Sequence, residues 1–163
     1  MTFRVADESD MVAIYLMGYD VWGDGQPQAT YLEICRSAPK YKRGRWFVLT
    51  DNQEGAVSSL IVYRDAFQLA SHAAGIGSIA TPTTLRGRGY AAELVRSVVA
   101  LLAKERAEQI YLFSDIAPEY YEKLGFKKLP ANHQKYPGTV CMVWESKLNE
   151  LSGQADFTPP TYF

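Results

Sequence analysis

The chain has 163 residues, of which 47% are hydrophobic and 21% charged, as is ordinary for one globular domain with a substantial core. Its formal net charge of −1 argues against general binding to nucleic acid or to an anionic membrane surface. The cysteines Cys35 and Cys141 and the histidines His72 and His133 lack metal-ligand spacing, and no apolar run could span a bilayer. We therefore predict a reduced, cytoplasmic protein with no metal site.

The N-terminal part of the chain predicts one strand followed by two helices. Residues Thr2–Ala6 alternate as a short strand does, and Asp7, Ser9 and Asp10 are residue types that start helices. That helix should end near Tyr19, before a loop at Gly23–Pro27. A second helix is predicted over Gln28–Ser37. Its apolar side comprises Tyr31, Leu32, Ile34 and Cys35.

The middle of the chain predicts a hairpin and then a third strand. Trp46–Leu49 has the composition of a buried strand, Asp51–Gly55 that of a turn, and Ala56–Tyr63 that of the returning strand. The small and apolar run Gly75–Ala80 is short enough for another strand. Pro82 ends this run, because proline cannot donate a hydrogen bond to a sheet.

A glycine-rich turn, Arg86–Ala91, leads directly into a helix. The apolar stripe of that helix comprises Ala91, Leu94, Val95, Val98, Val99 and Leu102. Gly87 and Gly89 permit backbone conformations and a close approach that a β-carbon prevents. The first N–H groups of a helix lack helical partners and lie at its positive end, and the Arg86 and Arg88 guanidinium groups would add charged donors. The stretch therefore predicts a phosphate or pyrophosphate site.

Two other phosphate-binding motifs fit this stretch less well. A Walker A loop needs Lys and then Ser or Thr after its last glycine, whereas Tyr90 and Ala91 follow Gly89. The dinucleotide-binding fingerprint needs a third glycine and a later acidic residue that binds a ribose. In this chain Ala91 would have to replace that glycine, and Glu108 would have to be the acid. Its turn also belongs near the start of a domain, whereas this turn follows several predicted strands.

The remaining elements complete a mixed sheet. Ile110–Phe113 predicts a strand, and a strand, helix and strand in this order imply parallel pairing with a right-handed crossover. Pro118–Leu124 predicts a short helix that Gly125 ends. Phe126–Leu129 and Thr139–Trp144 predict closing antiparallel strands. The fold class is therefore α/β (α+β), with about six or seven strands, a central parallel pair and about four helices.

Two segments resemble the GCN5-related N-acetyltransferase (GNAT) superfamily. Arg86–Ala91 matches the family's Gln/Arg-x-x-Gly-x-Gly/Ala signature, and Tyr121–Phe126 resembles its Tyr-x-x-x-Gly-Phe segment. The likeness covers Phe3–Trp144 in element order, and its specific part is Ile79–Phe126. It implies a single-domain fold in which the two central parallel strands splay apart.

The resemblance implies that acetyl-coenzyme A binds as the acyl donor. Backbone amides of the turn would hold its pyrophosphate, and its pantetheine arm would lie between the splayed strands. The coenzyme-binding residues that it implies are Ile79, Ala80, Thr81, Arg86, Gly87, Arg88, Gly89, Tyr90, Ala91, Ser114 and Tyr121. The two N-terminal helices would form part of the acceptor wall, with Tyr19, Trp22 and Tyr31 as substrate contacts.

The resemblance also implies a general acid and an oxyanion donor. The family motif puts the tyrosine that corresponds to Tyr121 near the coenzyme sulfur, where its phenol would protonate the leaving thiolate. Tyr120 is the alternative if the short helix is rotated. A backbone N–H near Ala80 or Thr81 would polarise the thioester carbonyl.

The general base is where this sequence departs from many members of that family. They often carry Glu or Asp on the strand before the phosphate turn, whereas Ile76–Thr81 contains no acid. We take Asp115 as the candidate base. Glu119, His72 and a water held by backbone carbonyls are the alternatives, and Asp115 could equally cap the short helix.

Two hypotheses for function follow. The first is an N-acetyltransferase that moves an acetyl group from acetyl-coenzyme A to a primary amine of a small molecule, an amino acid or a peptide or protein lysine, by direct attack in a ternary complex. The second is a non-catalytic regulatory protein that binds coenzyme A or acetyl-coenzyme A with the same fold. Neither hypothesis involves nucleic acid or a membrane, since the chain has no basic stripe and no spanning segment.

The end of the chain predicts a docked segment. We assign residues 1–150 to the acetyltransferase-like domain and residues 151–163 to a C-terminal tail. The tail closes with Thr161–Phe163 after Pro159 and Pro160, which is more apolar than a solvated tail requires. We predict that these residues dock on the same domain, or on a second copy of the chain in a homodimer.

Overall fold

The computed structural model describes residues 1–146 and 157–163. One compact unit consists of Met1–Val62 with Ser78–Val98, and a second consists of Tyr63–Gly77 with the chain from Val99 onward. The predicted boundary between domain and tail, at residues 150 and 151, lies outside the described residues. The assignment of residues 1–150 to one domain stays a prediction.

The strands belong to one mixed sheet. They are β1 (Thr2–Val5), β2 (Gly44–Asp51), β3 (Gly55–Tyr63), β4 (Ala73–Ala80), β5 (Gln109–Ser114), β6 (Lys127–Lys128) and β7 (Val140–Glu145). Their order is β1-β2-β3-β4-β5-β7-β6, with β4 and β5 parallel and β7 antiparallel to both β5 and β6. The predicted fold class, with its central parallel pair, is confirmed.

Five α-helices accompany the described part of the sheet. They are α1 (Met11–Met17), α2 (Tyr19–Trp22), α3 (Gln28–Ser37), α4 (Tyr90–Lys104) and α5 (Glu119–Glu122). Short 3-10 turns lie at Glu8–Asp10, Pro39–Lys42, Thr83–Leu85 and Ala131–His133. None of these helices is long and apolar enough to cross a membrane.

The first helical turn is capped as the sequence predicts. The Asp7 side chain accepts a hydrogen bond from the Ser9 N–H, and the Asp10 side chain accepts one from the Asp7 N–H, which together form a capping box. Arg4 donates two bonds to Asp10, at 2.6 and 2.9 Å, and so ties β1 to the helix start. These bonds hold the pKa of the Asp10 carboxyl below its ordinary value.

The N-terminal helices differ from the prediction in two details. The helix expected to continue to Tyr19 is interrupted at Gly18, whose φ of −100° and ψ of 0° leave the helical region. The bounds of α3 are those predicted, but its apolar side is narrower. Ile34 is 52% exposed, because it lies at the margin of a stripe centred on the buried residues Tyr31 and Cys35.

The long helix α4 has the predicted apolar face. Its buried residues include Leu94, Val95, Val98, Val99 and Leu102. Full burial of an aliphatic side chain contributes roughly 1.5–3 kcal/mol, so this face is a large part of the stability of the helix. The helix starts at Tyr90, directly after the glycine-rich turn.

In the second unit, β5 and β7 pair over their full length, from Gln109 opposite Glu145 to Ser114 opposite Val140. The helix predicted over Pro118–Leu124 is shorter, since only Glu119–Glu122 is α-helical. The predicted strand Phe126–Leu129 likewise contracts to the two residues of β6.

The tail docks on its own chain. The Phe163 ring is 7% exposed and lies 5.4, 5.6 and 5.1 Å, between ring centroids, from Tyr63, Phe67 and Phe113. The Thr161 N–H donates to the Phe67 carbonyl at 2.8 Å. These last residues were predicted to dock either on the same domain or on a second copy of the chain. Docking on the same chain is confirmed.

Candidate functional site

The glycine-rich turn adopts the conformation that only glycine accepts readily. Gly87 has φ +77° and Gly89 has φ +85°, both in the left-handed region. Apart from the glycine itself and its two chain neighbours, no heavy atom of the described residues lies within 4 Å of the position that a β-carbon would take at either glycine. The backbone of this turn is therefore open to a close approach by a ligand.

The turn delivers several backbone donors to one place. The first helical bond of α4 runs from the Glu93 N–H to the Gly89 carbonyl, at 3.0 Å. The N–H groups of Tyr90, Ala91 and Ala92 precede that bond, so the helix itself supplies them with no acceptor. Together with the positive end of a 15-residue helix, they form a site suited to an anion.

Arg86 has partners within the protein. Its Nη1 and Nη2 donate to the two carboxylate oxygens of Asp20 at 2.7 and 2.8 Å, and its Nε donates to the Thr81 carbonyl at 3.0 Å. The hydrogen bonds from Arg86 hold the pKa of Asp20 below its ordinary value. Arg88 is held less firmly, by one bond of 3.4 Å to the Thr84 carbonyl. A phosphate contact by either guanidinium stays a prediction.

Buried polar side chains support the end of β4. The Ser58 hydroxyl donates to the Ala80 carbonyl at 2.9 Å, and the Thr81 hydroxyl donates to the Ser58 oxygen at 3.1 Å. Inside β4, Ser78 has φ +47°, a left-handed conformation that costs a residue other than glycine roughly 1–3 kcal/mol. The Ser78 side chain opposes the rise in the pKa of Tyr41 that burial causes. The strand is therefore distorted two residues before Ala80.

The parallel ladder between β4 and β5 is short. Three residue pairs, from Ala73 opposite Gln109 to Gly75 opposite Tyr111, make up the ladder. Within the second unit it ends there, although β4 continues to Gly77 and β5 to Ser114. Strands that stop pairing in this way leave backbone donors and acceptors on facing edges, where an extended ligand chain can bind them.

Tyr121 is fixed by the turn that follows α5. Gly125 has φ +91°, its N–H donates to the Glu122 carbonyl at 3.0 Å, and the Phe126 N–H donates to the Tyr121 carbonyl at 3.1 Å. This is the Schellman pattern of a helix end, and it accounts for the Gly-Phe pair of the motif. Tyr121 is 7% exposed, and burial is the main cause that raises its pKa above the ordinary value. Its phenol is therefore protonated at neutral pH.

Asp115 and Ser114 lie at the end of β5. The buried Ser114 donates its hydroxyl proton to the Ile116 carbonyl at 2.8 Å, and its own carbonyl accepts a bond from the Thr139 hydroxyl at 3.1 Å. Asp115 is exposed, and its negative charge contributes to raising the pKa of both Tyr121 and Tyr162. The charge of Asp115, the candidate base, therefore affects the pKa of Tyr121, the candidate acid.

Tyr120 is the alternative general acid to Tyr121, and Glu119 and His72 are the alternative bases to Asp115. Tyr120 adjoins Tyr121, with ring centroids 5.0 Å apart, and Glu119 is exposed on α5. His72 immediately precedes β4, at the edge of the sheet where parallel strands begin, whereas Asp115 follows the opposite end of β5. Six strand residues separate those edges by about 20 Å, which speaks against His72 as the base.

The three predicted acceptor contacts have different surroundings. The Tyr19 and Tyr31 rings pack together, with centroids 5.1 Å apart, and the Tyr19 hydroxyl donates to the Gln26 carbonyl at 2.6 Å. Tyr31 is buried, and burial is the main cause that raises its pKa above the ordinary value. Trp22 is 41% exposed. Of the three side chains, Trp22 offers the most surface to a ligand.

The structure distributes the predicted site residues over both units. The first unit contains Tyr19, Trp22, Tyr31, Ile79, Ala80, Thr81, Arg86, Gly87, Arg88, Gly89, Tyr90 and Ala91, and the second contains Ser114, Asp115 and Tyr121. The sequence did not indicate Asp20 as the partner of Arg86, or Phe113 and Tyr136 as the ring neighbours of Tyr162. A single acid on a helix and a single tyrosine in a tail carry no local signal of their partners. Within residues 1–146 and 157–163, no group of three or more His, Cys, Asp or Glu residues could hold a metal ion.

Comparison with protein families identifies one match. The model of the acetyltransferase (GNAT) domain matches residues 2–129. No curated protein sequence matches the chain.

Solved structures share the fold at low sequence identity. One is the Escherichia coli GNAT family N-acetyltransferase YhbS in complex with CoA, with a TM-score of 0.67, 20% identity, and coverage of 88% of this chain and 80% of that one. Tetrahymena GCN5 has a TM-score of 0.65 at 14% identity, over 89% of this chain and 96% of its own. A chimera of spermidine N-acetyltransferase SpeG from Vibrio cholerae and hSSAT has a TM-score of 0.65 at 16% identity, with the same two coverages.

Proposed function

The chain belongs to the acetyltransferase (GNAT) family, and we propose on this premise that it moves an acetyl group from acetyl-coenzyme A to a primary amine by direct attack in a ternary complex. The observation that carries the proposal is the turn at Gly87 and Gly89, with its left-handed glycines and open surroundings. In this proposal the N–H groups that lead into α4, with those of the turn, bind the pyrophosphate of the donor.

In this proposal the pantetheine arm forms hydrogen bonds with the backbone at the end of β4. Ile79, Ala80 and Thr81 supply backbone groups from β4. The Ala80 and Thr81 carbonyls already accept bonds from Ser58 and Arg86, which favours their N–H groups as ligand donors. The Ser114 hydroxyl proton is committed to Ile116, so its oxygen is better suited to accept a bond from a pantetheine amide.

The chemistry needs one proton donor and one proton acceptor. The neutral amine attacks the thioester carbonyl, the new C–N bond forms, and the C–S bond breaks with its electrons on sulfur. The leaving thiolate takes the proton of the Tyr121 phenol, while the nitrogen gives up a proton to Asp115. Solvent then carries a proton from Asp115 back to Tyr121. A backbone N–H at Ala80 or Thr81 stabilises the negative oxygen of the intermediate.

Two observations support these roles. Burial keeps the pKa of Tyr121 above its ordinary value, so the phenol is protonated when the thiolate leaves. Asp115 is exposed and close enough to Tyr121 for its charge to act on that pKa. Glu119 remains the nearest alternative base in the chain, and a water held by backbone carbonyls is the alternative without a side chain.

The second hypothesis, a non-catalytic coenzyme A-binding regulator, predicts the same turn and the same splayed strands. It requires neither a protonated tyrosine nor a neighbouring carboxylate. The pairing of Tyr121 with Asp115 favours the enzyme for that reason.

The proposal is tested by release of free thiol from acetyl-coenzyme A in the presence of a panel of primary amines. The panel should span small alkylamines, arylalkylamines, amino acids, amino acid amides and lysine peptides. We expect at least one amine to raise thiol release well above hydrolysis without amine. Tight binding of acetyl-coenzyme A with no stimulation by any amine would favour the regulator.

A further inference from the structure

Tyr162 is the tail residue that the proposed chemistry leaves unused. It is 44% exposed, whereas Phe163 beside it is 7% exposed. The residues on both sides of Tyr162, Thr161 and Phe163, contact the rest of the chain. Tyr162 is therefore exposed although the segment that carries it is docked.

Phe163 is held by a complementary strand surface. Gly75 of β4 has no side chain, and a β-carbon there would lie 2.5 Å from Cζ of Phe163, closer than any such contact allows. The ring thus occupies the space that a side chain at Gly75 would fill. On the other side of Tyr162, the Thr161 N–H is bonded to the Phe67 carbonyl at 2.8 Å. These two contacts fix the position of Tyr162.

The Tyr162 ring faces two other rings. Its centroid lies 5.1 Å from that of Phe113 on β5 and 5.8 Å from that of Tyr136, in the loop before β7. Phe113 and Tyr136 are themselves 5.6 Å apart. Phe113 and Tyr136 are each only partly buried, so the three rings form a cluster that reaches the surface.

The charge of Asp115 reaches this cluster, since it contributes to raising the pKa of Tyr162. Asp115 follows Phe113 by two residues, and its charge acts on both Tyr162 and Tyr121. Within residues 1–146 and 157–163, no Lys, Arg or His forms an ion pair with it. A carboxylate whose charge acts on an exposed ring, and which forms no ion pair among the described residues, attracts an organic ammonium ion.

We propose that the tail residue Tyr162, together with Tyr136, Phe113 and Asp115, binds the acceptor and selects a primary amine on an apolar carrier without a nearby negative charge. This inference rests on the proposed function and names its substrate class. The rings bury the apolar part of the acceptor and contact the cation with their faces. Asp115 repels acceptors that carry a carboxylate.

The test uses two acceptors that differ only in one group, phenylalaninamide and phenylalanine. Each is titrated into the unaltered chain saturated with coenzyme A, and binding is measured by calorimetry. We expect phenylalaninamide to bind about tenfold more tightly than phenylalanine, because only the latter places a carboxylate near Asp115. Asp115→Asn should reduce that ratio towards one.

Three variants test the rings. Tyr162→Ala should weaken phenylalaninamide binding by about tenfold, whereas Tyr162→Phe, which keeps the ring, should change it by less than about twofold. Tyr136→Ala should have the same effect as Tyr162→Ala, and it leaves the tail sequence intact. Binding of acetyl-coenzyme A should be equal in all of them.

The outcomes separate this inference from the proposed function. If thiol release depends on amines but Tyr162→Ala and Tyr136→Ala bind phenylalaninamide as the unaltered protein does, the inference is overturned and the enzyme stands. If no amine stimulates thiol release but phenylalaninamide and phenylalanine bind as predicted, the proposed amine site is supported and the proposed acetyl transfer is contradicted. Equal or tighter binding of phenylalanine, or no binding of phenylalaninamide, overturns the inference.

Discussion

The guanidinium group of Arg86 donates two parallel hydrogen bonds to the carboxylate of Asp20, at 2.7 and 2.8 Å. Arg86 opens the glycine-rich turn and Asp20 lies on α2, so the pair ties the turn to that helix. The Thr83 hydroxyl donates to the same carboxylate at 3.2 Å. The first arginine of the motif therefore has a structural role, namely to orient the turn that we propose as the coenzyme site.

The first prediction concerns this pair. Asp20→Ala should weaken acetyl-coenzyme A binding by about three- to tenfold, because the turn loses a bidentate anchor that is partly open to solvent. Arg86→Ala should have a similar effect, and the double variant should be no weaker than either single one. Arg88→Ala is the control for lost positive charge near the phosphates. Additive effects of Asp20→Ala and Arg86→Ala in calorimetry would show that the two side chains act separately.

The second prediction concerns the general acid. Tyr121→Phe keeps the ring but removes the proton donor, so kcat should fall by about a hundredfold or more while acetyl-coenzyme A affinity is unchanged. Since burial raises the pKa of Tyr121 above 10, the unaltered enzyme should lose this donor only above pH 10, and the variant should lack that high-pH limb. Rate profiles of both proteins, with Tyr120→Phe as control, measure this. An active Tyr121→Phe with an unaltered profile would move the role to Tyr120.

The third prediction concerns the base. Asp115→Asn should lower kcat by about a hundredfold, because no carboxylate then takes the proton of the nitrogen. Glu119→Gln, on the exposed side of α5, should change kcat by less than about twofold. Steady-state rates with a saturating amine decide between them. The reverse pattern would assign the base to Glu119, and full activity in both would assign it to water.

The fourth prediction concerns the tail. Gly75→Ala should destabilise the protein by roughly 1–3 kcal/mol, because the new methyl group occupies the space of the Phe163 ring. In a protein truncated after Ser152 the same substitution should cost little, since that ring is gone. Truncation alone should lower the melting temperature, and light scattering shows whether it also shifts a dimer towards monomer. An equal cost of Gly75→Ala in both backgrounds would mean that Phe163 does not occupy this position.

Local sequence patterns predicted the parts of the fold that depend on neighbouring residues. The bounds of α3 and the apolar face of α4 follow from helical periodicity, because each residue type there agrees with the local structure. The left-handed φ values at Gly87, Gly89 and Gly125 occur where glycine was expected to permit a turn or end a helix. The splayed strands followed from the family resemblance, and the short ladder of β4 and β5 agrees with it.

Contacts between distant parts of the chain could not be predicted in the same way. Asp20 and Arg86 are 66 residues apart, and neither residue indicates the other in the sequence. Phe163 fits over Gly75 because of tertiary packing, which no local pattern encodes. Ser78 adopts a left-handed conformation, which residues other than glycine disfavour. Its residue type therefore gave no indication of this distortion of β4. The motifs of the candidate site could be found in the sequence, but the residues that contact them could be identified only in the structure.

The most direct test of the central claim is calorimetric titration of acetyl-coenzyme A into Gly89→Val. A β-branched side chain at φ +85° strains the turn and fills the space that the pyrophosphate needs, so binding should weaken by at least about a hundredfold. Gly25→Val is the matched control, since Gly25 also has a left-handed φ, +71°, and open surroundings but lies in the loop before α3. The account predicts that Gly25→Val binds the coenzyme as the unaltered protein does. Unchanged affinity in a folded Gly89→Val would contradict it.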